Sequence, residues 1–539
     1  MTGTSRSSYR DYDAVIIGAG FAGMYMLHRL RGLDLSALVL ERGGDVGGTW
    51  YWNRYPGARC DIESMEYSYS FSEALQQEWE WSERYAAQPE ILRYANHVAD
   101  RFDLRRDIQF DTEVASARYD EDRARWRLTT TNGERFSARF CIMATGCLSS
   151  ANVPEFPGRE DFQGETYHTG HWPHREVDFG GKRVGVIGTG SSAIQAIPLI
   201  AEQCRELVVF QRTANYSIPA GNVPLDPGYV QDIKAHYSEF RSLNRQQSPG
   251  FGSRIPKGQG KNTLEVLPEV RRHEFEMRWA RGGFGFLGGF DDALTDAQAN
   301  EVAAEFVRER IRETVHDPEV AERLCPRQVI GCKRICLDTN YFQTYNLPHV
   351  RLVDVREDPI VRLTPSGLET GREAFNFDCI VFATGFDAMT GTLLRMDIRG
   401  RGGRTLTEKW EAGPRTYLGL ATHGFPNLFM VSGPGSPSVL TNMVISIEQH
   451  VEWIADCIAW LGKEGLRSID ATQQAEDDWV RHVNEIAAQT LYPTCNSWYL
   501  GANIPGKPRV FMPHIGFPPY AARCDAVAAA GYEGFDLGQ

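Results

Sequence analysis

Cysteine is scarce for the length: 11 in 539 residues, an odd number scattered along the chain. Cys332 and Cys336 stand four apart, but no second Cys or His pair follows at zinc-binding spacing, so no metal site is expected. The scarcity also excludes a disulfide framework; the thiols are expected to be reduced and mostly buried, as in a cytoplasmic protein. Long apolar runs are missing too. The longest uncharged stretch, Asn427 to Ile447, is broken by Gly433, Pro434, Gly435 and Pro437, which excludes a membrane-spanning helix there. Met1–Tyr12 is polar and has no apolar segment, so no export signal is expected. Nor is there a basic excess. Lys and Arg total 57 against 70 Asp and Glu, a formal charge of −13, with no dense cationic run for a nucleic acid. What remains is an average soluble composition, 42% hydrophobic and 24% charged, in a chain long enough for two or three domains.

Two segments then stand out. Asp13–Ile17 is a short apolar run followed by Gly18-Ala-Gly20-Phe-Ala-Gly23 and the helical pattern Met24–Leu33. In such a strand, turn and helix, Gly18 permits the tight turn, Gly20 lets backbone approach a pyrophosphate, and Gly23 lets helix pack on strand. A second strand, Ala37–Leu40, ends in Glu41, where an acid accepts hydrogen bonds from a ribose diol. The pattern recurs at Val184–Ile187, Gly188-Thr189-Gly190-Ser191-Ser192-Ala193 and the helix Ile194–Cys204. Here the next strand, Glu206–Phe210, ends in Gln211-Arg212-Thr213 with no carboxylate. An arginine and a hydroxyl suit the extra phosphate of NADP rather than the free diol of NAD.

Two further strands, Phe140–Met143 and Cys379–Phe382, both run into Ala-Thr-Gly, at Ala144–Gly146 and Ala383–Gly385. They suggest where the chain leaves one domain and enters the other. The expected layout is α/β, with two Rossmann-like dinucleotide-binding domains. The first, for FAD, takes residues 1–150 and 386–539. The second, for NADP, takes 151–220 and 331–385, with a helical subdomain inserted at 221–330. Within the insert, Asp291–His316 carries helical periodicity. The glycine-rich aromatic loop Trp279–Phe290 reads as mobile, either gating a substrate or capping the subdomain.

Two dinucleotide sites describe flavoproteins that hold both FAD and NAD(P)H. Disulfide reductases carry a close Cys pair after the first cradle; here Cys60 is followed next by Cys141, which excludes them. The segment Phe162-Gln-Gly164-Glu-Thr-Tyr-His168-Thr-Gly-His-Trp172-Pro173 matches the fingerprint of the type I Baeyer–Villiger monooxygenases, and the chain resembles that family from about Tyr12 to Phe535. Gly48-Thr-Trp50, Tyr55–Asp61, Lys333–Tyr341 and Ser497–Asn503 with Gly506–Arg509 resemble other family segments, the last a C-terminal lid. Within the family, Gly433–Met443 and Ile447–Trp453 look most like members acting on phenylacetone and on steroids.

The resemblance implies NADPH- and O2-dependent oxidation of aryl, bulky or cyclic ketones to esters or lactones. In it, FAD reduced by NADPH forms a C4a-peroxide that attacks the carbonyl, and sulfoxidation is a side activity. Arg334 matches the catalytic arginine and Asp61 the carboxylate beside it. Gly18, Gly20, Gly23, Glu41, Trp50, Asp61, Tyr67, Val114 and Met443 match positions at FAD. Arg59, Cys60, Asp61, Thr189, Gly190, Ser191, Ser192, Gln195, Arg212, Thr213, Lys333, Arg334 and Trp498 match positions at NADP. The fingerprint segment precedes the second cradle as a linker between domains, and its His168 and Trp172 are read as conformational residues that couple NADP binding to domain closure, not as acid or base. The rival reading is a flavin monooxygenase that oxygenates sulfur or nitrogen. A non-catalytic NADP sensor would have no use for Asp61 and Arg334. The protein is expected to be a cytoplasmic monomer or weak homo-oligomer without membrane or nucleic acid partners.

Overall fold

Four-residue runs buried at every position, Ala37–Leu40 and Val184–Ile187, form strands covered on both faces, as parallel sheets require. A computed structural model describes residues 9–539; residues 1–8, part of the polar N-terminal segment, lie outside the described residues. The first sheet runs in the order Asp397–Arg399, Val114–Asp120, Arg125–Thr130, Arg135–Met143, Arg10–Ile17, Ala37–Leu40, Ile108–Gln109, and Leu428–Met430 also pairs with Arg135–Met143. The second is wholly parallel, in the order Val350–Asp354, Glu206–Gln211, Arg183–Ile187, Cys379–Phe382, Glu165–His168. The fold is thus α/β with two Rossmann-type sheets. The fingerprint segment departs from expectation: part of it is not a linker but the edge strand of the second sheet.

Each cradle is closed by its own Ala-Thr-Gly strand end. Gly18 has φ +106°, and a Cβ there would sit 2.6 Å from the Ala144 carbonyl oxygen. The Ala383 carbonyl holds the same place against Gly188, so both glycines are dictated by contact as well as by φ. The two crossovers then run side by side. Asn152 N donates to Gly385 O at 2.9 Å, Asp387 N to Ser150 O and Met389 N to Cys147 O, both at 2.8 Å.

The stretch 221–330 carries the helices Pro227–Ala235, Tyr237–Arg245, Pro268–Arg281, Ala297–Thr314 and Pro318–Leu324, and no strand. The helix expected from Asp291 starts at Ala297 because the Asp296 side chain accepts from the Gln298 and Ala299 amides. Among the described residues, no helix is long and apolar enough to cross a membrane.

Nine cysteines are free and buried, but Cys332 and Cys495 are bonded to each other, against the expectation of reduced thiols throughout. The partners lie 163 residues apart and meet only because the C-terminal segment folds back over residues 331–336. Local cysteine spacing carries no trace of such a pair.

The tightest contact is at Gly23, where an added Cβ would lie 1.8 Å from the Gly18 carbonyl oxygen. Gly23→Ala should therefore destabilise the protein by about 2 kcal/mol or more. A denaturation midpoint equal to that of the wild type would refute this packing.

Candidate active site

The helix Phe21–Arg31 begins at Gly20 without a side-chain cap, leaving its first amides and dipole for an anion. Glu41 is 6% exposed and accepts from the Ala19 and Gly43 amides, both at 2.6 Å. Burial raises its pKa, and those two amides pull it back. Val114 buries its side chain in the core of this sheet, so it offers no side chain to a ligand. Trp50, on the short helix Thr49–Trp52, is buried and donates Nε1 to the Tyr67 hydroxyl at 3.1 Å. The Tyr67 ring lies 5.9 Å from Phe21, the first residue of the cradle helix. Met443 opens the helix Met443–Lys463, whose cap Asn442 donates Nδ2 to the Glu66 carbonyl at 2.8 Å. Trp50, Tyr67 and Met443 are thereby gathered beside the first cradle.

The second cradle helix, Ser191–Ala201, is likewise uncapped at Gly190, and an added Cβ there would meet nothing within 4 Å. Thr189 Oγ1 donates to Thr213 O at 2.9 Å, Ser192 Oγ to Thr169 Oγ1 at 3.0 Å, and Ser191 Oγ lies 3.1 Å from Cys336 Sγ. These hydroxyls fasten the turn to its neighbours. Arg212 is exposed and Lys333 half-buried. Burial and the Arg212 charge together lower the Lys333 pKa, so the two cations are close enough to feel each other, as a dianion site requires.

The segment Tyr55–Arg59 wedges between the domains. The Tyr55 hydroxyl donates to Gln195 Oε1 at 2.8 Å, and Gln195 Nε2 donates to the Arg59 carbonyl at 3.1 Å. Gly57 allows the approach: a Cβ would come within 2.4 Å of the Gln195 carbonyl oxygen. The Arg59 guanidinium is spent on Glu83, 3.0 Å away. Cys60 is buried, and burial raises its thiol pKa. Arg59, Cys60 and Gln195 thus stand at the domain junction rather than at the glycine turn.

Three remote segments converge on Arg334. Its Nε and Nη2 donate to Asp61 Oδ2 and Oδ1 at 2.5 and 2.9 Å, a fork-on-fork pair. Its Nη1 donates to the Val439 carbonyl at 2.8 Å. Its face is covered by Phe284, with the guanidinium carbon 4.7 Å from the ring centre. Burial works against the charge, but the Asp61 carboxylate more than offsets it and holds the pKa above the ordinary arginine value. The result is a fixed cation, 21% exposed, that cannot lose its proton.

Phe284 belongs to the loop read as mobile. That loop is tied down: the buried Arg278 donates to Glu274 and to the Gly285 carbonyl, both at 2.6 Å, and Gly283 N donates to Pro219 O at 2.8 Å. Its role at Arg334 was visible in the sequence only as a conspicuous Gly-Gly-Phe. The buried Tyr499 feels the Arg334 charge, which opposes the rise that burial gives its pKa. Trp498, half-buried, packs on Tyr499 with centroids 4.4 Å apart. Downstream, Lys507 pairs with Asp387 at 2.6 Å and Asn503 donates to the Phe386 carbonyl at 2.7 Å, docking the lid on the crossover ribbon.

His168 also buttresses that ribbon. Its Nδ1 accepts from Gly170 N at 2.9 Å, while Nε2 faces the Asn152 carbonyl and Thr384 Oγ1, both at 3.3 Å. Both nitrogens are committed, and burial lowers the pKa to about 4. Downstream in the motif, His171 and His174 pack on Trp52 and Tyr51 of the first domain, with centroids 5.7 and 4.4 Å apart. Trp172 instead sits in the core of the second domain with Tyr167, 5.2 Å away, and Pro173 follows it half-buried. Phe162 is buried at the other end of the motif, and Gly164 gives it room.

Comparison with known proteins places this architecture. The model of the Pyridine nucleotide-disulphide oxidoreductase family matches residues 15–245. A Baeyer-Villiger monooxygenase of Pseudooceanicola batsensis is 44% identical over 99% of this chain and 97% of its own. The chain belongs to the Baeyer–Villiger monooxygenases. Among family relatives, a phenazine N-monooxygenase of Lysobacter antibioticus is also 44% identical, over 98% of this chain and 97% of its own. The structure of oxidized steroid monooxygenase bound to NADP is 54% identical, with a TM-score of 0.93 over 98% of this chain and 99% of that one. The groups such a family requires fit here. Two uncapped helix ends with glycine turns await two pyrophosphates, a buried acid stands at one, and the paired cations Arg212 and Lys333 stand at the other. Among the described residues, no cluster of His, Cys, Asp or Glu could hold a metal.

Two outcomes follow. A neutral His168 costs stability in acid: its pKa is 6.5 when unfolded and about 4 when folded, so stability is whole above 6.5 and falls towards 4. Denaturation curves across that range should show the wild type losing about 3 kcal/mol more than His168→Gln; equal slopes would refute a neutral, committed histidine. For Lys333, only the charged form would attract a phosphate, and burial and the Arg212 charge lower its pKa. NADPH affinity should fall as pH rises towards the ordinary lysine value of about 10.4, earlier than an unshifted lysine would make it fall, and Lys333→Met should be weak and pH-independent over the same rise. A pH-dependent Lys333→Met would assign the effect elsewhere.

Proposed function

We propose that the protein uses NADPH and O2 to insert one oxygen atom beside the carbonyl of an aryl, bulky or cyclic ketone, giving an ester or lactone. FAD, bound at the first cradle and reduced by NADPH, supplies the activated oxygen. The first cradle would hold its pyrophosphate on the Gly18–Gly23 turn and its ribose on Glu41, with Trp50, Tyr67 and Met443 around the ring. The second would hold NADP, its extra phosphate between Arg212, Thr213 and Lys333.

The observation that carries the reading is Arg334, fixed by Asp61, Val439 and Phe284. Negative charge grows on oxygen as the carbonyl is attacked. A guanidinium already oriented by a carboxylate stabilises that charge without reorganising, and its pKa forbids it to act by losing a proton. Asp61 positions the cation and tempers its field. Phe284 and the lid aromatics Trp498 and Tyr499 keep water away from the same place. His168 takes no part in proton transfer; it braces the crossover ribbon so that NADP binding and domain closure are coupled.

Heteroatom oxygenation is the second reading, favoured by the likeness to a phenazine N-monooxygenase. It stays secondary because attack on sulfur or nitrogen builds no carbonyl oxyanion for Arg334 to meet, and sulfoxidation is expected as a side activity. The protein would work in the cytoplasm, as a monomer or weak homo-oligomer.

The test is NADPH consumption by the flavin-loaded protein with phenylacetone, with the product identified by mass. Arg334→Ala should retain FAD and consume NADPH but lose ester formation by at least about 10²-fold. Normal ester turnover in that variant would overturn the assignment. NADPH oxidation indifferent to phenylacetone but stimulated by a steroid ketone would move the substrate to larger rings.

A further inference from the structure

The lid is joined covalently to the catalytic stretch. Cys332 immediately precedes Lys333 and Arg334, and its partner Cys495 lies three residues before Trp498. The bridge therefore spans the two segments that would close on NADP from opposite sides. Besides the bridge, the lid root is held by packing of Tyr492 on Phe511, 5.1 Å away, and by one backbone bond to the helical insert. Leu491 N donates to Leu294 O at 2.9 Å, and a cavity of about 490 Å3 lies behind Pro493, Leu500 and Phe511, against Val480 and Asn484 of the helix Gln473–Ala488. A lid with unfilled space behind it has room to withdraw, and a cross-link at its root removes that freedom.

The two sulfurs differ in access. Cys332 is 2% exposed, whereas Cys495 is partly exposed, between the turns Tyr492–Thr494 and Trp498–Leu500. The difference in residue exposure makes Cys495 the side from which a thiolate would approach. The group it expels is the Cys332 thiolate, next in sequence to two cations, and a stabilised thiolate is a good leaving group.

We propose that Cys332–Cys495 is a thiol–disulfide exchange site, worked by a small dithiol and its disulfide, that sets how long the lid keeps NADP+ in place. In the reductive direction, a thiolate of the dithiol attacks Cys495 Sγ, the protein S–S bond breaks, and its electron pair leaves on Cys332 Sγ, which is then protonated. The second thiolate of the reductant attacks its own sulfur in the mixed disulfide and frees Cys495. The protein gains two electrons and two protons, and the dithiol becomes a disulfide; the reverse exchange restores the bridge. The inference rests on the reading of Trp498 as part of the cover over NADP.

The test uses the flavin-loaded full chain, prepared in air and divided into untreated and dithiothreitol-treated halves. Alkylation and peptide mass mapping should find Cys332 linked to Cys495 only in the untreated half. NADP+ release should be roughly tenfold slower there, because the bridge confines the lid to its site, and trypsin should cut after the exposed Arg509 more slowly. Cys495→Ser should release NADP+ quickly in both halves. A bridge that never forms in air, release and proteolysis unchanged by reduction, or a Cys495→Ser protein that still responds to dithiothreitol would each overturn the proposal. Trp498→Ala separates the two readings. Unaltered NADP+ release in that variant removes the lid's role itself, whereas fast release there beside a wild type indifferent to reduction removes only the exchange site.

Discussion

One guanidinium fixes the relation of parts that are far apart in the chain. Arg334 comes from the segment after the helical insert, Asp61 from the first dinucleotide domain, Val439 from the returning C-terminal portion, and Phe284 from the insert itself. Its in-plane hydrogen bonds and its face are assigned to different neighbours, so its direction is set by several segments at once. A charge held this way has lost its side-chain freedom before any substrate arrives, as the role proposed for it requires.

Around that point the molecule is a duplication with differences. Both cradles use a glycine turn closed from behind by the carbonyl of an Ala-Thr-Gly strand end, and both leave the helix start uncapped. They part company at the strand that follows: a buried carboxylate in one, an exposed arginine in the other. The same backbone thus presents opposite charges at its two strand ends.

The glycine turns, the acid and the arginine were legible as structure because each cradle is local: strand, turn and helix follow one another in sequence. The parallel strands were legible for the same reason, each being a short apolar run. Contacts between distant segments left weaker traces. Phe284 showed only as part of a glycine-rich loop, and nothing in the sequence said that Arg278 and Glu274 pin that loop from within the core. The Val439 carbonyl is a backbone atom, and any residue type presents one. The Cys332–Cys495 pair was invisible because its spacing records chain length rather than geometry. The fingerprint segment, read as a linker, proved to be an edge strand. Its four residues Glu165–His168 alternate weakly, and they are in a sheet because Cys379–Phe382, over two hundred residues later, supplies the pairing edge.

The paired crossovers have a mechanical meaning. Two single-chain connections between domains would allow twist, slide and swing alike. Here Ser150, Asn152, Gly385 and Asp387 zip the connections into a short ribbon. A hydrogen-bonded ribbon flexes easily out of its own plane but resists shear within it, because shear would have to break the rungs together. The domains are therefore joined by something closer to a door hinge than to a pair of strings. Such a ribbon would channel relative movement of the domains into a swing.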